Sequence, residues 1–191
     1  MIRIKALFTL LLLLTTSGCA GLFVAGAATT ASIAIDPRST GEILRDNQIE
    51  FEIAGMVNKA PYTSALRINA VSYRGTVVLV GQASDPQLLN EFVATTRKIS
   101  GVTKVHNQVR NKGPLSVSQI SNDSWITTKV KSSLLTESDL NGIKIKVITE
   151  DREVFLFGYV TKQHADLAAE IARNTIGVKQ VIKAFQYPEV Q

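Results

Sequence analysis

Two hydrophobic rhythms alternate along this chain, and the whole succession occurs twice. Over 46–58 and again over 122–136, apolar residues recur every three to four positions, the period of a helix with one buried face. Ile49, Ile53 and Val57 in the first segment, and Ile126, Val130 and Leu134 in the second, each span an arc of about 80° on a helical wheel. Asn122 or Asp123 is the expected N-cap of the second of these helices. The rhythm then changes to period two. "RINAVSY", the turn "RG" and "TVVLVGQ" (67–82), and "KIKVITE", the turn "DR" and "EVFLFGYV" (144–160), predict β-hairpins rich in β-branched residues. A further helix follows each hairpin, opened by Asp85 before Pro86 in one case and by Thr161 in the other. Gly101 and Gly177 stop these helices, and "VTKVHNQVR" (102–110) and "VKQVIKAFQ" (178–186) supply a last strand.

The two halves are copies of one unit. Residues 46–81 align without a gap onto 123–158 at an offset of 77, so that Asp46 falls on Asp123, Leu79 on Leu156 and Gly81 on Gly158. After one deletion the register resumes at an offset of 76, placing "ISGVTKV" (99–105) on "TIGVKQV" (175–181). The order in each copy is αββαβ, which predicts an α+β layer of three strands in a mixed sheet packed against two helices, with a right-handed crossover before the third strand. The expected organisation is a leader over 1–18, a tether over 19–45, copy one over 46–112, a Gly- and Pro-containing linker over 113–121 and copy two over 122–191. A unit of this size buries a marginal core, so the copies are expected to lean on each other. Gly81 and Gly158 recur late in the second strand of each copy, which reads as an architectural need for a bend or a close backbone approach.

The repeat also serves as an internal control. Copy two keeps the apolar arc of copy one but changes the opposite side of its first helix. Trp125 stands for Gln48, Lys129 for Glu52, Lys131 for Ala54 and Leu135 for Asn58. Thr128 and Ser132 complete that outer side. Tryptophan and leucine beside lysines form the pattern of a helix lying in a membrane interface. Packing of Trp125 against copy one or the linker is the structural alternative, and the residues alone leave both open.

The N-terminus changes the picture of charge and location. Arg3 and Lys5 precede "ALFTLLLLL" (6–14) and "TTSGC" (15–19), the layout of a secretory signal. Removal of 1–18 lowers Lys+Arg from 21 to 19 against 16 acids, so a net charge of +5 becomes +3, too mild and scattered to argue for nucleic acid. Cys19 is the one cysteine, so no intramolecular disulfide forms. It reads as a free thiol, as part of an uncleaved anchor running uncharged from Lys5 to Asp36, or as an acylated first mature residue. "TSGC" resembles the bacterial lipobox, with Thr16 where leucine is usual, and favours lipidation. Ala20 in place of an aspartate then implies sorting to the inner leaflet of the outer membrane.

Catalytic signatures are not apparent. His106 and His164 occupy non-equivalent positions of the repeat, Ser132 and Ser133 have no histidine at a suggestive spacing, and neither a Walker loop nor GxGxxG is present. The reading is therefore a non-enzyme with no metal, cofactor or small-molecule substrate.

The αββαβ unit with its glycine resembles the BON domain. Lipobox, Ala-rich tether, "DPRSTG" (36–41), "NAVSYRGTVVLVGQ" (69–82), "SNDSWITTKV" (121–130) and "EVFLFGYVT" (153–161) in succession resemble the dual-BON outer-membrane lipoproteins over nearly the whole chain. The resemblance implies binding of anionic phospholipid, phosphatidylglycerol or cardiolipin, through the second BON domain. Trp125, Thr128, Lys129, Lys131, Ser132 and Leu135 are the expected lipid-facing residues. It also implies a role in envelope integrity and enrichment at division sites. The alternative is a periplasmic interaction module that uses the same helix face to meet outer-membrane assembly machinery.

Overall fold

The computed structural model describes residue 36 and residues 38–188. The expected leader, Cys19 and most of the tether lie outside the described residues. Copy one consists of α1 (Thr40–Val57), β1 (Leu66–Tyr73), β2 (Thr76–Ala83), α2 (Pro86–Thr96) and β3 (Lys104–Asn111). Copy two consists of α3 (Val117–Thr136), β4 (Lys146–Glu150), β5 (Glu153–Tyr159), α4 (Lys162–Arg173) and β6 (Gln180–Gln186). In both copies the central strand pairs antiparallel with the first and parallel with the last. One-turn 3-10 helices, Tyr62–Ser64 and Ser138–Leu140, precede the hairpins, and β4 starts at Lys146 rather than Lys144.

Both opening helices begin earlier than their apolar periodicity predicts. Ser39 and Ser116 are the N-caps, and each closes a capping box with Glu42 or Gln119. Residues 38–41 and "SVSQIS" (116–121) thus belong to folded structure, the latter inside the stretch expected as linker. Asn122 and Asp123 are not caps; they lie well inside α3. Asp123 is 4% exposed and accepts the N–H groups of Asp151 and Arg152 at 2.7 and 2.8 Å. Its counterpart Asp46 accepts the N–H groups of Arg74 and Gly75 and the Ser72 hydroxyl. In each copy a buried carboxylate on the first helix therefore holds the hairpin turn. Arg74, Gly75, Asp151 and Arg152 all have positive φ, as a two-residue turn matched to strand twist requires.

Copy one carries a further tie. Arg38 donates to Asp36 and to Asp46, at 2.7 and 2.8 Å. The Arg38 guanidinium holds the Asp36 carboxyl down to about 2, and Asp36 in turn pushes Arg38 upward. Burial pushes the Asp46 carboxyl up, but the donors from Gly75, Ser72, Arg74 and Arg38 together leave it below its ordinary value.

Alternation along the strands gives each sheet two buried faces. Val77 and Leu79 in copy one, with Val154 and Leu156 in copy two, face their own helices. The intervening residues Val71, Val80, Phe155 and Phe157 form a third apolar cluster between the two sheets. The described chain is therefore a four-layer sandwich, helices–sheet–sheet–helices, with α1 and α3 on opposite outer layers. At one end Glu150, 4% exposed, accepts from Arg67, Asn69 and Gln82 of the other copy. Arg110–Glu153 and Lys112–Asp151, both 2.7 Å, flank this bond set. At the other end Lys146–Glu50 (2.9 Å) and Lys144–Asp36 (3.8 Å) join the copies beside a cleft of about 640 Å³.

Gly81 stands where β1 passes closest, and Gly158 where the segment leading into β4 does. A Cβ on Gly81, at φ +138°, would lie 2.0 Å from the Arg67 carbonyl oxygen, and one on Gly158 would lie 2.7 Å from that of Lys144.

Candidate functional site

Ile126, Val130 and Leu134 bury one side of α3 against β4 and β5, which directs the remaining side chains into solvent. Trp125 is 48% exposed and Leu135 is 85% exposed. Thr128 and Ser132 lie between them on the same exposed side. The Thr128 hydroxyl donates to the Ser124 carbonyl at 3.0 Å, one turn back along the helix. Lys129 Nζ sits 3.7 Å from the centre of the Trp125 ring, a cation–π contact that contributes about 0.5–1 kcal/mol at an exposed site. Lys131 lies on the opposite flank of the stripe, exposed and without an ion-pair partner among the described residues. The six expected residues are thus on the exposed part of one helix, with the apolar pair near its middle and end and the lysines at the two edges.

Two apolar groups on this layer escaped the sequence pattern. Val117 is 84% exposed at the start of α3, and Ile176, in the turn from α4 to β6, is 75% exposed. Gly177 brings that turn against the helix, since a Cβ there would lie 3.2 Å from the Ile126 side chain. Ile176 then shares an open groove with Lys129, Ser132 and Asn174. Ser100 occupies its position in copy one, so the same repeat comparison, carried beyond the helix, contains the signal.

Copy one exposes apolar residues on its first helix as well. Leu44 and Phe51 on α1 are 62% and 81% exposed. The separation lies in charge. α1 carries Glu42, Asp46, Glu50 and Glu52 against Arg45, whereas α3 carries Lys129 and Lys131 against the buried Asp123 alone. An anionic surface is therefore favoured at α3 and opposed at α1.

Among the described residues no group of three or more His, Cys, Asp or Glu is placed to hold a metal, and no helix is long and apolar enough to cross a membrane.

The model of the BON domain matches residues 45–113 and 122–189. The chain belongs to the BON-domain family. It is 40% identical over 171 residues to the Outer membrane lipoprotein DolP of Haemophilus influenzae, covering 89% of each chain. It is 42% identical over 154 residues to the 21 kDa hemolysin of Actinobacillus pleuropneumoniae, covering 80% of this chain and 79% of that one. The Osmotically-inducible protein Y of Escherichia coli is 27% identical over 144 residues, covering 74% and 72%. These similarities support an outer-membrane lipoprotein with a function in the envelope. The two BON domains are the two copies of the αββαβ unit, each with its three-stranded mixed sheet against two helices.

Proposed function

We propose that this BON protein is held by a lipid at Cys19 on the periplasmic side of the outer membrane and reads anionic phospholipid with the outer face of α3. The reading makes it a non-enzymatic patch sensor that supports envelope integrity and gathers where such lipids concentrate, including division sites. The observation that carries it is the pairing of exposed Trp125 and Leu135 with Lys129 and Lys131 on a helix that has no acid on that side.

Magnitudes define the mechanism. Transfer of one Trp and one Leu out of water contributes about 3–5 kcal/mol at most, and each lysine near an anionic surface adds about 1 kcal/mol. Ordering costs reduce this to weak, salt-sensitive binding by an untethered chain. A tethered chain holds α3 at high effective concentration beside the membrane, so the anchor fixes the membrane and the helix selects the patch.

A second reading rests on Leu44 and Phe51. Their apolar stripe lies on the opposite outer layer among carboxylates, which suits a protein partner such as outer-membrane assembly machinery better than an anionic membrane.

The test follows Trp125 fluorescence of the unlipidated mature chain with vesicles of phosphatidylglycerol, cardiolipin or phosphatidylcholine. A blue shift with the two anionic vesicles, weakened by salt and abolished by Leu135→Glu, is the expected result. Leu135 is so exposed that this change leaves folding within about 0.5 kcal/mol of the parent. Ile176→Ser, which installs the copy-one residue, is expected to weaken the response less. Equal shifts on all vesicles, or none, would remove the lipid reading.

A further inference from the structure

One end of the sandwich is closed by the Glu150 bond set, and the other, beside the Lys146–Glu50 and Lys144–Asp36 pairs, holds a cleft built like a binding site. Its floor is the part of the inter-sheet layer that the facing sheet does not fill. Phe155 and Phe157 are buried there, while Val78, Ile182 and Ala184 stay half-buried toward the space. The volume of about 640 Å³ lies within the range of small-molecule sites, about 300–1,000 Å³. Tyr73 and Tyr159 form one wall with parallel rings, 6.3 Å between centroids, and Arg38 lies 4.3 Å over the Tyr73 ring. The Tyr73 hydroxyl is buried and has no hydrogen-bond partner among the described residues. A buried hydroxyl without a partner is costly, and a ligand oxygen would relieve it. At the rim, Arg38 is held by Asp36 and Asp46, Lys183 by Asp166 and Lys146 by Glu50, while Lys144, 68% exposed and 3.8 Å from Asp36, is the cation least committed to a carboxylate.

We infer that this inter-domain cleft binds a single-chain anionic amphiphile, a fatty acid or a lysophospholipid with an acidic headgroup, with its chain on the Phe155–Phe157 floor and its headgroup among the rim cations. Apolar depth with a cationic mouth excludes sugars and nucleotides, whose polar surface would meet the floor unpaired. One acyl chain fits the space; the two chains of a membrane phospholipid do not. The site is separate from α3, because the cleft lies between the sheets and α3 lies on an outer layer. It does not depend on the lipid reading of that helix.

The experiment uses the mature chain with Cys19→Ala and a dansylated fatty acid held below its micelle concentration. Saturable fluorescence enhancement, reversed by oleate or lysophosphatidylglycerol, is expected. Ala184→Trp fills the floor and should abolish it. Lys144→Glu with Lys183→Glu reverses two rim charges on exposed positions and should weaken binding about tenfold while the chain stays folded. Leu135→Glu should leave it unchanged. Absence of saturable enhancement, indifference to the rim variant, or loss in Leu135→Glu would overturn the assignment. The last outcome would move the amphiphile to the α3 face.

Discussion

Glu150 is where the two BON domains are most exposed to a single substitution. Its carboxylate is 4% exposed and receives Arg67, Asn69 and Gln82 from the other domain, with Gln82 itself fully buried. Glu150→Ala would leave the Gln82 amide without an acceptor and Arg67 without its counter-charge. Removal of one partner from a buried ion pair costs about 3–5 kcal/mol. Arg67 keeps 29% of its side chain in contact with solvent and can be rehydrated, so the expected loss is near the lower end, about 3 kcal/mol. With a urea slope of about 2 kcal/mol per molar, the midpoint should fall by roughly 1.5 M. Glu150→Gln keeps an acceptor oxygen and should lose only about 1 kcal/mol. Hydrogen exchange gives the location: the amides of Val80 and Phe155, between the sheets, should lose protection before those of the helix-facing residues. A loss below about 0.5 kcal/mol in Glu150→Ala, the ordinary scatter of surface changes, would refute the account of this carboxylate as the fastening between the domains.

Asp123→Ala leaves the N–H groups of Asp151 and Arg152 without their acceptor, and thermal unfolding should report a loss of about 2 kcal/mol with the outward side chains of α3 untouched. Acid should act on copy one at the entry to α1. Asp36 at about 2 and Asp46 below its ordinary value are both carboxyls with depressed folded pKa, so their stabilisation is present above about pH 4 and is lost as pH falls toward 2. Denaturation curves taken across that window should show the decline, and Arg38→Gln should flatten it.

Most of the architecture was written in local pattern. The repeat, the two hairpins, the caps at Asp85 and Thr161 and the terminating glycines all rest on short-range chemistry. Asn122 and Asp123 misled because a short polar side chain before an apolar stripe resembles a cap, whereas the Asp123 carboxylate, buried inside a helix, owes its place to a turn 28 residues away in sequence. The true caps were visible as Ser39 with Glu42 and Ser116 with Gln119. "TVVLV" and "EVFLF" carry apolar residues on both strand faces, the mark of sheets covered on two sides, and so held the domain pairing in outline. The α3 stripe was legible from the repeat, since a helical wheel assigns its outward side. Ile176 was not, because its exposure depends on how the turn before β6 settles against α3.

The Asp36–Arg38–Asp46 tie has a consequence for the proposed anchoring at Cys19. It fixes the point where the chain departs toward Cys19 at the seam between the sheets, beside Lys144 and the cleft mouth, rather than at the free end of a helix. From that seam to the outside of the α3 layer is one sheet and one helix deep, roughly 20 Å. The residues between Cys19 and Asp36 can extend to about 60 Å at most. For the proposed attachment at Cys19, that contour length is some three times the distance to be covered, so chain length alone does not keep either outer layer from a membrane. Cutting that stretch to fewer than about six residues should, on the proposed function, keep α3 from reaching the bilayer, and vesicle binding by the lipidated chain would report it.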